Sequence, residues 1–255
     1  MKAVILAAGR GHRLGEYTED RPKCLVEIDG ETLLVRQIDA LSAAGASSIA
    51  VVSGWCGEKF EGRGITRFHN ANWAQSTMVE SLHCAQEWLC CDDVLVSYGD
   101  IIYAPEAARQ LARAQAPIAI TYDPHWQDLW ERRFVDPFED AERFRLNTDG
   151  SVAEIGGRAD TSADATGQYM GLLKLTPHGW AEIERARGEL PGEEAAALDM
   201  TGLLSRVVRA GRVPVTAIAT PGPWCEFDHP YDLAVGADIV REIDALRRIS
   251  SDRKM

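Results

Sequence analysis

Positively charged residues are scarce in this chain. Among its 255 residues, 27 Lys and Arg stand against 39 Asp and Glu, which gives a formal net charge of −12. A protein that binds duplex nucleic acid needs a cationic face to displace counterions. The one short basic cluster here is the tail Arg247, Arg248, Arg253 and Lys254. The composition therefore excludes a general nucleic-acid binder.

Long apolar runs and paired cysteines are also missing. The apolar run over residues 3–8 is shorter than the core of a signal peptide, and no run approaches the length of about 20 residues that a membrane span requires. The six cysteines contain no Cys-x-x-Cys pair, and the six histidines lack metal-ligand spacing. We expect a reduced, cytoplasmic protein without a membrane segment.

Strand-like and helix-like segments alternate along the chain, which is typical of βα units that feed a mostly parallel sheet. The predicted strands are 3–7, 49–52, 94–98, 117–122, 168–175 and 213–218, and the predicted helices are 33–45, 78–89, 198–210 and 233–249. We predict an α/β protein with a single domain over residues 1–255. A segment of about 123–170 differs in composition from the rest of the chain, because it is rich in Trp and in charged residues. It is predicted to be an insertion that faces a substrate.

The first predicted strand runs into a glycine-rich loop with the sequence Leu6-Ala7-Ala8-Gly9-Arg10-Gly11-His12-Arg13-Leu14, and Arg21-Pro22-Lys23 follows. Small residues let backbone N–H groups approach a nucleotide, and Arg13 and Lys23 offer cationic donors to phosphate oxygens. The alternative is a tight strand exit without a ligand. Leu14 replaces the third glycine of a dinucleotide-binding fingerprint, and no Gly-Lys-Ser/Thr triplet of a P-loop occurs.

Together these two motifs resemble the signature of the nucleotidyltransferases that join an NTP to a phosphorylated small molecule. That group includes sugar-1-phosphate nucleotidyltransferases and phosphocholine cytidylyltransferases. The resemblance implies a Rossmann-like α/β fold with a mixed, mostly parallel central sheet flanked by helices, Mg²⁺ as cofactor and release of pyrophosphate. It also implies that residues Leu6, Ala7, Ala8, Gly9, Arg10 and Gly11 bind the nucleotide.

Two acidic residues are candidates for the metal site. Asp100 follows the strand predicted over 94–98, where open α/β sheets place ligand-contacting groups, and Asp228 lies near a later strand end. Hard oxygen ligands suit Mg²⁺, and the resemblance implies that Asp100 and Asp228 hold it. A turn or helix-capping role is the alternative for Asp100. We predict a catalytic set of Lys23, Arg13, Asp100 and Asp228, with Lys23 on the acceptor and Arg13 on the leaving pyrophosphate.

A polar stretch at the start of the helix predicted over 78–89 is a candidate for reading the base. Its members Gln75, Ser76, Thr77 and Ser81 carry amide and hydroxyl groups near a helix N-terminus. The run Met78-Val79-Glu80-Ser81-Leu82 resembles a segment of the cytidylyltransferase branch, which implies CTP as the nucleotide. The alternative is a capped surface helix.

The inserted segment combines aromatic rings with carboxylates, which suits an ammonium-bearing acceptor. The predicted acceptor-binding residues are Trp126, Trp130, Arg133, Asp140, Glu142, Tyr169 and Asp199. The stretch resembles cytidylyltransferases that act on phosphocholine or on phosphonates such as 2-aminoethylphosphonate. Since Trp126 and Trp130 are four residues apart, they could instead form one helix face that packs on the core.

The leading hypothesis is a Mg²⁺-dependent cytidylyltransferase that couples CTP to a small phosphonate or phospho-compound. A sugar-1-phosphate nucleotidyltransferase is the alternative, and a non-catalytic nucleotide-binding regulator ranks lower. The apolar stripe Ile239, Ile243 and Leu246 of the last predicted helix is a core-packing face or a dimer seam, so a homodimer is possible.

Overall fold

The computed structural model describes residues 1–220 and 222–252, so Arg253 and Lys254 of the basic tail lie outside the described residues. Numbered along the chain, the strands are β1 (Lys2–Ala7), β2 (Glu27–Ile28), β3 (Glu31–Thr32), β4 (Ile49–Ser53), β5 (Thr66–His69), β6 (Val94–Tyr98), β7 (Ile101–Tyr103), β8 (Ile118–Asp123), β9 (Glu142–Leu146), β10 (Val152–Arg158), β11 (Gln168–Leu175), β12 (Val215–Ala219) and β13 (Trp224–Glu226). The helices are α1 (Leu33–Ala43), α2 (Met78–His83), α3 (Gln86–Leu89), α4 (Pro105–Arg113), α5 (Trp126–Arg133), α6 (Pro177–Gly188), α7 (Gly192–Ala197), α8 (Met200–Ala210) and α9 (Pro230–Asp252).

Seven strands form the central sheet in the order β12-β8-β11-β6-β1-β4-β5. Strand β11 is antiparallel to both of its neighbours, while the other pairs are parallel. The sheet is therefore mixed and mostly parallel, as predicted. Ala7 lies opposite Ser53, and Leu6 lies opposite Tyr98, so the loops that follow β1, β4 and β6 leave the sheet side by side.

Hydrophobic cores lie on both faces of this sheet. Ala3, Ile5 and Ala7 pack into a core with α1, α4, α5 and α9, whereas Val4 and Leu6 pack into a second core with α2, α3, α6 and α8. A strand that is buried on both faces is apolar at nearly every position. This is why β1 stands out in the sequence as a continuous apolar run.

Several predicted elements need correction. The single helix predicted over 78–89 is wrong, because Ala85 leaves the helical conformation (φ −96°, ψ 15°) and divides it into α2 and α3. The helix predicted from residue 198 begins at Met200, since the carboxylate of Asp199 accepts a hydrogen bond from the Gly202 N–H at 2.7 Å and caps α8. Strand β5 and the hairpin β9–β10 were not predicted. Strand β5 contains no buried residue and the two hairpin strands contain only three, which are Phe144, Val152 and Ile155, so neither has a continuous apolar run.

The last helix, α9, runs from Pro230 to Asp252 along the first core. Ile239 and Ile243 are buried in that core, while Leu246 is 39% exposed. Most of the apolar stripe thus packs in the first core, and a homodimer stays a prediction. Within the described residues, no helix is both long and apolar enough to cross a membrane.

Candidate active site

The predicted nucleotide loop leaves the sheet at the end of β1. Leu6 and Ala7 are the last residues of that strand with side chains in the two cores, so the exposed part of the loop begins at Gly9. Gly11 has a φ of +68°, and a Cβ at this position would lie 2.8 Å from Cε of Lys23. Glycine is therefore required twice, for the backbone conformation and for the close approach of Lys23.

Lys23 and Arg13 meet two carboxylates that come from distant parts of the chain. Nζ of Lys23 lies 3.0 Å from Oδ2 of Asp100 and 2.6 Å from Oδ1 of Asp228. Nη2 of Arg13 lies 2.8 Å from the same Asp228 oxygen. The Phe227 N–H donates to the Asp100 carbonyl oxygen at 2.9 Å and holds the two segments together. All four predicted catalytic residues are thus brought into one cluster.

The charges in this cluster depend strongly on one another. Burial lowers the pKa of Lys23, but the carboxylates of Asp100 and Asp228 outweigh it and raise that pKa above its usual range. Burial raises the pKa of Asp228, yet Lys23, Arg13 and Arg133 together hold it below its usual value. Lys23 is therefore an ammonium ion and Asp228 a carboxylate at neutral pH.

Glu226 is a member of the cluster that the sequence analysis did not select. Carboxylate oxygens of Asp100, Glu226 and Asp228 all lie within 4.8 Å of one another. Burial, with the neighbouring charges of Asp228 and Asp100, raises the pKa of Glu226 to about 8. The alternation Trp224-x-Glu226-x-Asp228 was the available signal, because residues two apart on a strand share a face.

The donor set of these three carboxylates fits Mg²⁺, which prefers oxygen ligands. Oδ1 of Asp100 is buried and has no hydrogen-bond partner among the described residues. A buried carboxylate oxygen in this state is costly unless a cation or a donor satisfies it. The residues present are therefore able to hold a divalent cation.

A cavity of about 340 Å³ opens beside this cluster. Arg13, Glu226 and Asp228 line it, and so do five of the predicted acceptor residues, which are Trp130, Asp140, Glu142, Tyr169 and Asp199. Further residues that line the cavity include Met78, Tyr98, Met170, Met200 and Thr201. Apolar side chains with a few convergent polar groups are the usual lining of a small-molecule site.

Glu142 is the most firmly held of the carboxylates that came from the acceptor prediction. Its Oε1 accepts a hydrogen bond from Thr201 Oγ1 at 3.1 Å, and its backbone exchanges two hydrogen bonds with the side chain of Gln168. Burial raises the pKa of Glu142 to about 7, with Asp199 and Asp140 adding to the effect and Thr201 opposing it. Its charge therefore changes near neutral pH.

Two predicted acceptor residues do not line the cavity. Trp126 is 3% exposed, packs in the first core and donates from Nε1 to the Ala165 carbonyl oxygen at 3.1 Å. The side chain of Arg133 is fully buried and pairs with Asp232 and Glu226. Both lie on the face of α5 that packs inward, which corrects the prediction that they contact an acceptor.

The predicted base-reading stretch lies next to the nucleotide loop. A Cβ on Gly54 would lie 2.5 Å both from the Ala8 carbonyl oxygen and from Cβ of Trp73, so these two segments approach each other closely. Gln75 is exposed. The side chain of Asn70 donates to the hydroxyls of Ser76 and Ser81 at 2.9 and 3.0 Å.

The hydroxyl groups of this stretch are already engaged within the protein. Thr77 Oγ1 donates to the Leu198 carbonyl oxygen at 2.7 Å and makes no side-chain cap of α2. Together with the bonds from Asn70, this leaves Gln75 as the member whose side chain is exposed. Asn70 is a further residue that the sequence analysis missed, because it follows a strand, β5, that lacks an apolar run.

Comparison with known proteins gives consistent matches over the whole chain. A family model described as the MobA-like NTP transferase domain matches residues 3–254. The CTP:phosphoglutamine cytidylyltransferase of Campylobacter jejuni subsp. jejuni serotype O:2 is 32% identical over 251 residues, and the match covers 92% of this chain and 98% of that protein. The choline-phosphate cytidylyltransferase of Streptococcus pneumoniae is 37% identical over 93 residues, which cover 35% of this chain and 41% of that protein.

Solved structures also resemble this one. The inositol-1-phosphate CTP transferase from T. maritima has a TM-score of 0.75 at 20% sequence identity, and the match covers 95% of this chain and 96% of that chain. Since the likeness extends over nearly all of both chains, it confirms the predicted type of α/β fold with its mixed, mostly parallel sheet.

Proposed function

Because the chain belongs to the MobA-like NTP transferase family, we propose that it is a Mg²⁺-dependent cytidylyltransferase acting on a small phosphonate or phosphorylated compound. Membership makes it a nucleotidyltransferase, whereas the base, the metal and the acceptor are the proposal. The observation that carries it is the meeting of Arg13 and Lys23 with three carboxylates at the cavity. CTP is favoured because a relative that is 32% identical and whose match covers 92% of the chain is named for CTP.

In the proposed reaction an anionic oxygen of the acceptor attacks the α-phosphorus of CTP. A new P–O bond forms, the bond to the β-phosphate oxygen breaks, and pyrophosphate leaves with the electron pair. The acceptor oxygen is already ionised near neutral pH, so the reaction needs no general base. Positioning and neutralisation of charge are then the main tasks of the protein.

The cluster of Lys23, Arg13 and the three carboxylates can perform both the positioning and the neutralisation of charge. Asp100, Glu226 and Asp228 would hold Mg²⁺, which when bound supplies positive charge to phosphate oxygens. Lys23 donates to the acceptor and to the developing charge, and Arg13 donates to the leaving pyrophosphate. In the structure, Lys23 and Arg13 both pair with carboxylates, which hold the two cations beside the proposed position of the phosphates.

The loop from Ala8 to Gly11 contributes backbone N–H groups toward the nucleotide phosphates, and Leu6 and Ala7 fix its start at the end of β1. Gln75, whose side chain is exposed, contacts the base or ribose directly. The engaged hydroxyls of Ser76, Thr77 and Ser81 shape the same side of the site through their hydrogen bonds. These roles follow from the close approach of the two segments at Gly54.

For the acceptor we propose a phosphorus group together with an ammonium group. Lys23 and the metal site suit the phosphorus group, while Glu142, Asp140 and Asp199 with the ring of Trp130 suit an ammonium ion. The relatives named for phosphoglutamine and for choline phosphate support this class, since glutamine and choline both carry such a group. The segment over residues 123–170 faces the acceptor through Trp130, Glu142 and its neighbours.

The test is pyrophosphate release measured with Mg²⁺ and with EDTA across CTP, UTP, GTP and dTTP. Each nucleotide is crossed with phosphoglutamine, phosphocholine, 2-aminoethylphosphonate and glucose 1-phosphate. We expect turnover with CTP and an aminated acceptor that EDTA abolishes. Turnover with sugar phosphates alone would overturn the acceptor proposal, and nucleotide binding without any turnover would support the non-catalytic alternative.

A further inference from the structure

Arg133 is held in a fixed position behind the carboxylate cluster. Its Nε and Nη2 donate to the two carboxylate oxygens of Asp232 at 2.9 and 3.3 Å, and its Nη1 donates to Oε2 of Glu226 at 3.2 Å. The rings of Trp130 and Phe134 lie 5.2 and 5.1 Å from the guanidinium carbon. Bidentate pairing and ring contacts leave this side chain no freedom to turn toward a ligand.

Asp232 extends the same arrangement to the backbone of the cluster. Its side chain is fully buried, and its Oδ2 accepts hydrogen bonds from the N–H groups of both Asp228 and His229 at 2.8 Å. The pair of Arg133 and Asp232 therefore determines where the side chain of Glu226 and the backbone of Asp228 lie.

The carboxylates need such a partner because they repel one another. Asp100, Glu226 and Asp228 bring three acidic groups within 4.8 Å. In the proposed reaction Lys23 and Arg13 turn to phosphate oxygens and leave their carboxylates. Arg133 cannot follow, since its side chain is fully buried and does not line the cavity. Among the described residues, it is the cation that stays with Glu226 throughout.

We propose that Arg133 is a positioning residue, which together with Asp232 holds Glu226 and Asp228 in place to bind a divalent cation. The inference rests on the proposed function, because it takes these carboxylates as the metal site. Groups that orient the ligands of a metal are costly to change, typically by about 10- to 100-fold in affinity or activity. Arg133 thus acts through the carboxylates, on the side away from the cavity.

The first test is the substitution Arg133→Lys, which keeps the charge but cannot bridge Asp232 and Glu226 with one planar group. Mn²⁺ serves as the probe, and its binding to the free protein is measured by electron paramagnetic resonance. We expect the Kd for Mn²⁺ to rise about 10-fold. The acceptor KM should stay within about twofold. Arg132→Lys is the matched control, because Arg132 is exposed on the same helix, and it should leave Mn²⁺ binding unchanged.

A second variant separates position from charge. Arg133→Met combined with Asp232→Asn removes both buried charges together, so it also decides the question if Arg133→Lys does not fold. Because this variant removes a cation and an anion together, a purely electrostatic role of Arg133 predicts nearly unchanged Mn²⁺ binding, whereas the positioning role predicts weaker binding. Tighter or unchanged binding in this variant would overturn the inference.

The outcomes also distinguish this inference from the proposed function. Wild-type Mn²⁺ affinity in Arg133→Lys, or a raised acceptor KM with unchanged Mn²⁺ affinity, overturns the inference alone. A wild-type protein that binds no Mn²⁺, with or without CTP, overturns the proposed metal site and this inference with it.

Discussion

The phosphate side and the acceptor side of the cavity are built in different ways. The phosphate side comes mainly from one contiguous stretch, from Leu6 to Lys23, and depends on backbone conformation at Gly11. The acceptor side is assembled from single side chains on separate elements, among them Trp130 on α5, Glu142 on β9 and Thr201 on α8. A site formed by one contiguous stretch can be recognised as a sequence motif. A site formed by side chains from separate elements can be recognised only when the packing of the sheet and helices is known.

The largest expected effect tests the phosphate side. Lys23→Ala removes the ammonium group that bridges Asp100 and Asp228, so kcat should fall by about 100- to 1000-fold. Pyrophosphate release at saturating substrates measures the loss, and circular dichroism checks the fold. Lys59→Ala is the matched control, because Lys59 is an exposed lysine in a short turn away from the cluster. Near-wild-type turnover of Lys23→Ala would remove Lys23 from the reaction.

A smaller loss is expected when the backbone of the same stretch is disturbed. Gly11→Ala places a Cβ 2.8 Å from Cε of Lys23 at a φ of +68°, so Lys23 must shift and kcat should fall about 10- to 100-fold. Gly211→Ala is the control, since Gly211 has the same left-handed conformation with a φ of +61° but open space around its Cβ. Both variants should lose about 1 kcal/mol of stability in thermal unfolding. Equal activity of the two would show that the contact with Lys23 is irrelevant.

The same contrast decides how much of the molecule could be predicted from its sequence. Strands β1, β6 and β11 were predicted within one residue of their observed bounds, because β1 and β6 are nearly continuous apolar runs and β11, although Gln168 and Lys174 interrupt it, is buried at all but one position. Strand β5 is largely exposed and the hairpin β9–β10 is buried at only three positions, so neither carries such a signal. A strand could therefore be predicted from the sequence when it is continuously buried, whatever its length.

On the acceptor side, residue type was a weaker guide than position on a helix. Trp126, Trp130 and Arg133 have the spacing i, i+4, i+7, which puts all three on one face of α5, and this face packs inward. Trp130 alone of these three reaches the cavity, at the edge of that face. Glu226 was overlooked because its place beside Asp100 depends on the pairing of β13 with β7, which joins distant segments.

The acceptor side gives a prediction about pH. Because burial raises the pKa of Glu142 to about 7, its carboxylate gains a proton as the pH falls through neutrality and no longer attracts an ammonium group. At saturating CTP, the acceptor KM should therefore rise about 10-fold between pH 8 and pH 6.

Two variants locate the origin of this pH dependence. Glu142→Gln should have a high acceptor KM at every pH, because its amide carries no charge to lose. Glu131→Gln is the control, since Glu131 is exposed on α5, and it should keep the wild-type profile. If Glu142→Gln follows the wild-type profile instead, the titrating group lies on the acceptor or elsewhere in the protein.

The smallest kinetic effects separate the two neighbouring tryptophans of α5. Trp126→Phe loses the hydrogen bond from Nε1 to the Ala165 carbonyl oxygen, so the free energy of unfolding should fall by about 1–3 kcal/mol. The acceptor KM should change little. Nε1 of Trp130 is buried without a partner among the described residues, so Trp130→Phe loses no such bond. Its ring lines the cavity, and a phenyl ring attracts cations less than an indole, so the acceptor KM should rise about threefold. Thermal unfolding and acceptor kinetics on both variants measure the contrast. A raised acceptor KM in Trp126→Phe without loss of stability would show that Trp126 contacts the acceptor. The conclusion that Trp126 belongs to the core and Trp130 to the cavity would then be wrong.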